Sequence, residues 1–158
     1  MGLAFENLVI NNYRDLIKPL HLDGQLITSA APYRRKATNG RNGRKGVQID
    51  LLIQTRRSIY IVEIKRKETI DREIIQEMDA RVKAIRRPDG VSIRTALVYD
   101  GNLSPVVAVD GYFDAIVPFK KLLGLQDRIP IMADPRRWSV PLRPPHRSSH
   151  PSATTATS

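Results

Sequence analysis

The chain contains no cysteine, which excludes a disulfide scaffold, a Cys-built zinc finger and a thiol nucleophile. Histidine is nearly as scarce. Of its three occurrences, His146 and His150 fall in a Pro/Ser-rich tail, so a His-built zinc site is not expected. No apolar run approaches the roughly 18 residues of a membrane span. The opening Met1-Gly2-Leu3-Ala4-Phe5-Glu6 has neither the basic-then-apolar layout of a signal peptide nor the Ser or Thr of a myristoylation motif. Acid is in deficit: 16 Asp and Glu face 26 Lys and Arg, for a formal charge of +10. An excess of that size favours a polyanionic partner such as nucleic acid or an anionic membrane surface. The expectation is a soluble, cytoplasmic, basic protein with no membrane partner.

Two stretches differ from the rest. From Asp127 the chain carries Pro130, Pro135, Pro141, Pro144, Pro145 and Pro151 and ends in Ser, Thr and Ala. Its sparse, aperiodic apolar residues cannot offset the entropy of ordering. The expected division is therefore a folded domain over 1–126 and a mostly disordered basic tail over 127–158. Trp138 either pins one turn of that tail to the domain or is simply exposed. The second stretch, 34–46, holds six basic residues, three Gly and no acid, and reads as a flexible cationic loop.

What remains is patterned. Leu3, Phe5, Leu8, Val9, Tyr13, Leu16 and Ile17 recur at helical spacing over 3–18, and Pro19 stops the helix. Residues 25–33 are compatible with a strand. Val47–Gln54 and Ile59–Ile64 are strongly apolar and β-branched, and the polar 55–58 between them predicts a hairpin. Asp71 can cap a helix to about Arg86 with Ile74, Ile75, Met78, Val82 and Ile85 on one face. Ile93–Tyr99 and Ala115–Val117 read as strands, and Phe119–Leu123 as a closing helix. The order α-β-β-β-α-β-β-α predicts an α/β fold: a mixed central sheet flanked by helices.

The informative residues are charges set in apolar strands. Asp50 interrupts Val47-Gln48-Ile49-Asp50-Leu51-Leu52-Ile53, and Glu63 and Lys65 share one face of Ile59-Tyr60-Ile61-Val62-Glu63-Ile64-Lys65. Antiparallel pairing brings Asp50 and Glu63 to the same end of the sheet. Two buried carboxylates need cations, and Lys65 supplies only one positive charge. Two carboxylates, a main-chain carbonyl and waters would suit a hard divalent ion. Tyr60 faces away from Glu63 and belongs to the core. His21, beside Pro19 and Asp23, is read as a turn residue.

Ile49-Asp50, twelve intervening residues, then Glu63-Ile64-Lys65 resembles the bipartite motif of the PD-(D/E)XK nuclease superfamily, and the family's α-β-β-β-α-β core, the restriction-endonuclease-like arrangement, matches the order above. Leu3-Ala4-Phe5-Glu6-Asn7-Leu8-Val9, Gln48-Ile49-Asp50-Leu51-Leu52 and Ile61-Val62-Glu63-Ile64-Lys65 are similar, over roughly 1–125, to the nuclease-like domain at the C-terminus of certain prokaryotic AAA-type ATPases. The chain departs from that arrangement in holding no ATPase module and no Gly-rich phosphate loop, and in having Gln48 where Pro is common.

The resemblance implies Mg²⁺-dependent hydrolysis of DNA phosphodiesters, with Mn²⁺ able to substitute. Asp50, Glu63 and the carbonyl of Ile64 would hold the metal, Glu6 would join through water, and Lys65 would orient the attacking water or stabilise developing charge. Gln76, on the helix after the motif, is a candidate for orienting Lys65 or the nucleophile. Arg34, Arg35, Lys36, Arg41, Arg44 and Lys45 are the candidate phosphate contacts, with Arg66, Lys67, Arg86 and Arg87 as candidate extensions of the patch. An ATPase partner and a homodimer are further expectations. The alternatives are a catalytically weak binding module of the same fold that serves an ATPase, and a basic adaptor whose carboxylates only stabilise the fold.

Overall fold

The computed structural model describes residues 2–39 and 43–123. The elements run α1 (Gly2–Asn11), a 3-10 turn (Tyr13–Leu16), β1 (Ile27–Arg35), β2 (Val47–Thr55), β3 (Ser58–Ile70), α2 (Glu73–Ala84), β4 (Ser92–Leu103), α3 (Pro105–Val109), β5 (Ala115–Pro118) and α4 (Phe119–Leu122). The strands form one five-stranded sheet in sequence order. β1, β2 and β3 are antiparallel neighbours, whereas β3, β4 and β5 run parallel. The fold is thus α/β with a mixed sheet flanked by helices. Parallel neighbours need a crossover, which α2 supplies between β3 and β4, and α3 between β4 and β5. The expected domain boundary at 126, the tail with Trp138, and Arg41 lie outside the described residues.

Boundaries differ from expectation at several elements: β3 runs to Ile70 and β4 to Leu103, past the expected Ile64 and Tyr99, and α2 ends at Ala84 rather than near Arg86. The first helix stops at Asn11, not near Lys18, because Asn12 turns its side chain back: Nδ2 donates to the carbonyl of Leu8 at 2.8 Å. Phe5 and Val9 are buried, but Leu3 and Leu8 face outward, so the first-turn apolar residues are not all core. Asp71 does not cap α2 with its side chain; its backbone carbonyl accepts from Ile74 N–H at 3.1 Å instead. β1 runs two residues further than expected, because Arg34 and Arg35 pair with Gln48 and Val47. His21 has φ of 54°, the left-handed conformation of a tight turn. α3 is an unforeseen element, since five residues are too few to show a period.

Both sheet faces are covered. Leu51, Ile53, Tyr60, Val62, Ile64, Ala96 and Val98 pack against Phe5 and Val9 of α1 and against Leu16, Leu20 and Leu22. On the other face Val47, Ile49, Leu52, Ile59, Ile61 and Leu97 pack against Ile74 and Met78 of α2, with Val107 and Phe113. Burial on two sides is why β2 and β3 read as near-continuous apolar runs rather than alternating ones.

The register carries one local break that matters for the site. From Ala31↔Leu52 to Tyr33↔Ile49, two steps on β1 face three on β2. β2 therefore holds one extra residue near Asp50, as a bulge does. The consequence is visible in packing: Ile49 and Leu52, an odd number of residues apart, lie on the same face, while Leu51 and Ile53 lie on the other.

Candidate functional site

β2 and β3 pair from Gln54↔Ile59 to Leu51↔Val62. Where those pairs end, the Asp50 side chain takes over a backbone role: Oδ2 accepts from Ile64 N–H at 3.0 Å. An aspartate in mid-strand is thereby explained locally. The bulge frees it from regular pleating, and its carboxylate satisfies a β3 donor that the ladder does not. Asp50 is half-buried.

Glu63 is the anomaly of the molecule. Only 3% of it is exposed, on the sheet face covered by α2. Burial pushes its carboxyl up from 4.5 to about 7, and the negative charge of Asp50 pushes in the same direction against the nearby cations Arg81 and Lys65. Two like charges close together in a partly dry site are costly, so one of them holds its proton more tightly.

The cations come from two elements. Lys65, two residues along the same strand, stands 3.6 Å from Glu63 Oε1 and 3.0 Å from Glu77 Oε2 of α2. Burial pulls the Lys65 pKa down, but the hydrogen bond to Glu77 and the charges of Glu63 and Glu77 outweigh it and leave the group above its ordinary value. Arg81 Nη1 lies 3.2 Å from Glu63 Oε2 and 3.8 Å from Glu77 Oε2, while its Nε donates to the carbonyl of Gln48 at 3.0 Å. Glu63 Oε2 and Arg81 Nη1 are nevertheless buried without an aligned hydrogen bond. Proximity supplies Coulomb attraction there but not the directed bonds that make a buried pair favourable.

The expected site residues fare unevenly. Asp50, Glu63, Ile64 and Lys65 converge at the end of the β2–β3 pairing. Glu6 is half-buried on α1, the helix that covers the opposite sheet face from Glu63. Among the described residues no group of three or more His, Asp and Glu side chains stands close enough to hold a metal ion. Gln76 is exposed, and the α2 residue that reaches Lys65 is its neighbour Glu77. Arg81 and Glu77 were not anticipated. Their signal in the sequence was an i,i+4 acid–base pair flanking the apolar stripe of α2, which is indistinguishable from ordinary surface pairing until the helix is docked.

The basic segment is more ordered at its base than a flexible loop. Thr38 and Arg44 bridge it, with Thr38 N–H donating to the Arg44 carbonyl at 3.0 Å and Arg44 N–H to Thr38 Oγ1 at 2.9 Å. Arg34 and Lys36 are exposed, as are Arg44 and Lys45. Arg35 is tied down: Nη1 donates to the Ala84 carbonyl at 2.9 Å and Nη2 to the Lys45 carbonyl at 3.3 Å. Arg66 is engaged by Asp100 at 3.3 Å and lies over the Phe5 ring. Lys67, Arg86 and Arg87 are exposed. A cleft of about 690 Å³ opens between the beginning of β2 and the C-terminal half of α2, with Arg35, Arg44, Lys45, Arg81 and Arg86 among its lining residues. It reaches the carboxylate site through Arg81.

No helix among the described residues is long and apolar enough to cross a membrane. Comparison with family models, with curated proteins and with solved structures yields no match.

Proposed function

We propose that the chain is a metal-dependent DNA endonuclease of the PD-(D/E)XK kind, with a restriction-endonuclease-like core. The observation that carries this is Glu63: a buried carboxylate beside Asp50, with a raised pKa and an oxygen that no aligned donor satisfies. With Glu77, the carboxylates gathered there outnumber their two cations, Lys65 and Arg81, and a hard cation would offset that excess. The succession of three antiparallel strands, a crossover helix and a parallel strand supports the same reading.

In this reading Asp50, Glu63 and the main-chain carbonyl of Ile64 would hold Mg²⁺ or Mn²⁺, which would supply Lewis acidity towards the scissile phosphoryl group and a bound water of lowered pKa. Glu63 must be deprotonated to serve, so binding is favoured above about pH 7. Lys65, held by Glu77 at 3.0 Å, keeps its proton and places a positive charge where negative charge develops on phosphate. Arg44 and Lys45 meet the DNA backbone beside the site.

A second reading draws on Arg81. A guanidinium already 3.2 Å from Glu63 does in part what a metal would, which suits a module that binds DNA without cleaving it, alone or with an ATPase partner. Incubation of supercoiled plasmid with the protein separates the two. Nicking in Mg²⁺ that EDTA abolishes and Lys65→Ala suppresses is the expected result. Plasmid that is bound but stays intact in both Mg²⁺ and Mn²⁺ would leave the second reading.

A further inference from the structure

We propose that the cleft between β2 and α2 takes one unstacked base of single-stranded or unpaired DNA, and so makes unpaired DNA the preferred substrate of the neighbouring carboxylate site. The proposal rests on the nuclease reading for the word substrate, but its binding half stands by itself. The cleft combines two kinds of wall. Val47, Ala80, Ala84 and Ile85 give it apolar surface, and beside Gly46 and Gln48 the rest is cationic, with no acidic residue among those that line it. Its volume, about 690 Å³, falls in the range of small-molecule sites, about 300–1,000 Å³, and leaves room for a nucleobase.

The cations divide by what they are already doing. Arg81 is committed to Glu63, Lys83 to Asp79, and Arg35 to the Ala84 and Lys45 carbonyls. Arg44, Lys45 and Arg86 form no ion pair among the described residues and are exposed at the same cleft. Arg35 is held at two of its nitrogens by elements on opposite sides, so its plane is fixed before any ligand arrives. A fixed guanidinium plane beside apolar surface is a stacking platform for a nucleobase, and uncommitted cations around it match the phosphates on either side. In a duplex both faces of every base are occupied by stacking, so only an unpaired base can enter without melting the helix.

The test uses binding in EDTA, where cleavage plays no part. Fluorescence anisotropy compares a labelled thymidine oligonucleotide with the same strand made abasic throughout. The wild type is expected to bind the base-bearing strand about tenfold more tightly, the scale of one stacked base. Ala80→Leu places extra hydrocarbon in the cleft without touching the Arg35 hydrogen bonds. It should reduce that preference to less than about threefold, a loss of most of one base's stacking, while leaving the abasic strand's affinity unchanged. Ala80→Met, milder at an exposed helix position, should act in the same direction and guards against a folding defect in the first variant. Equal affinities for the two strands in the wild type, or an undiminished preference in both folded variants, would overturn the cleft assignment. Base-dependent binding by a chain that cleaves neither plasmid nor single-stranded oligonucleotide in Mg²⁺ or Mn²⁺ would instead retain the cleft and remove the nuclease reading.

Discussion

On the sheet face under α1, β2 and β3 present Leu51, Ile53, Tyr60, Val62 and Ile64 to Phe5, Val9, Leu16, Leu20 and Leu22, and all are buried. On the face under α2 the same strands begin alike, with Ile49, Leu52 and Ile61 against Ile74 and Met78. At Glu63 that face changes character. A carboxylate is buried where the pattern calls for a hydrocarbon, and Lys65, Glu77 and Arg81 gather round it. One face is arranged for stability alone. The other gives up stability near neutral pH to keep charge in a dry place, as the proposed nuclease reading asks of it. Both are carried by the same two strands, so the apolar face holds the charged one in position.

The sharpest way to break this comparison is through activity. Asp50→Asn, Glu63→Gln and Lys65→Ala should each reduce plasmid cleavage by at least about a hundredfold with little change in circular dichroism. Near-normal nicking by any two of them would return the charged face to a structural role. On the α1 face the expected loss is in stability. Ile53→Ala removes a fully buried side chain and should cost about 2–5 kcal/mol in urea unfolding. A loss below about 1 kcal/mol would show that this face is loosely packed.

A pH comparison sharpens the contrast without any substrate. Glu63 has a folded pKa near 7 against 4.5 unfolded. The folded state thus binds its proton more tightly, and the wild type loses stability as pH rises from about 4.5 to 7. The side-chain amide introduced by Glu63→Gln does not titrate. The stability of wild type relative to Glu63→Gln should therefore fall by about 2–3 kcal/mol between about pH 5 and pH 8. A flat difference would mean that Glu63 ionises normally in the folded protein.

The smallest effect concerns metal and Asp50. Asparagine keeps an oxygen for Ile64 N–H but removes the charge that helps raise the Glu63 pKa. In EDTA, Asp50→Asn should accordingly melt above the wild type. At ten times its Kd, Mn²⁺ should stabilise the wild type by about 1.4 kcal/mol, more above the Glu63 pKa than below it, and the variant much less. If Asp50→Asn melts lower in EDTA and both proteins respond equally to Mn²⁺, Asp50 is only the backbone partner of β3.

Strand identity was legible because Val47–Gln54 and Ile59–Ile64 are too apolar and too β-branched to be anything but buried strands, and the polar 55–58 marks where the chain turns between them, though Thr55 and Ser58 themselves end up in the strands. The order of elements, α3 apart, followed from those runs and from the amphipathic stripe of α2. Charges inside apolar runs were visible for the same reason, so Asp50, Glu63 and Lys65 stood out without coordinates. What a linear pattern could not carry is how a helix rotates against a sheet and where a ladder slips by one residue. Glu77 rather than Gln76 meets Lys65 because one position along a helix turns a side chain by about 100°. Arg81 reaches Glu63 only after α2 has docked, and Asp50 binds Ile64 N–H only because β2 takes in one extra residue there. Composition and period decide which residues must be buried; which charges then meet is decided by packing, because electrostatic contacts depend on distances of a few ångströms that no local pattern encodes.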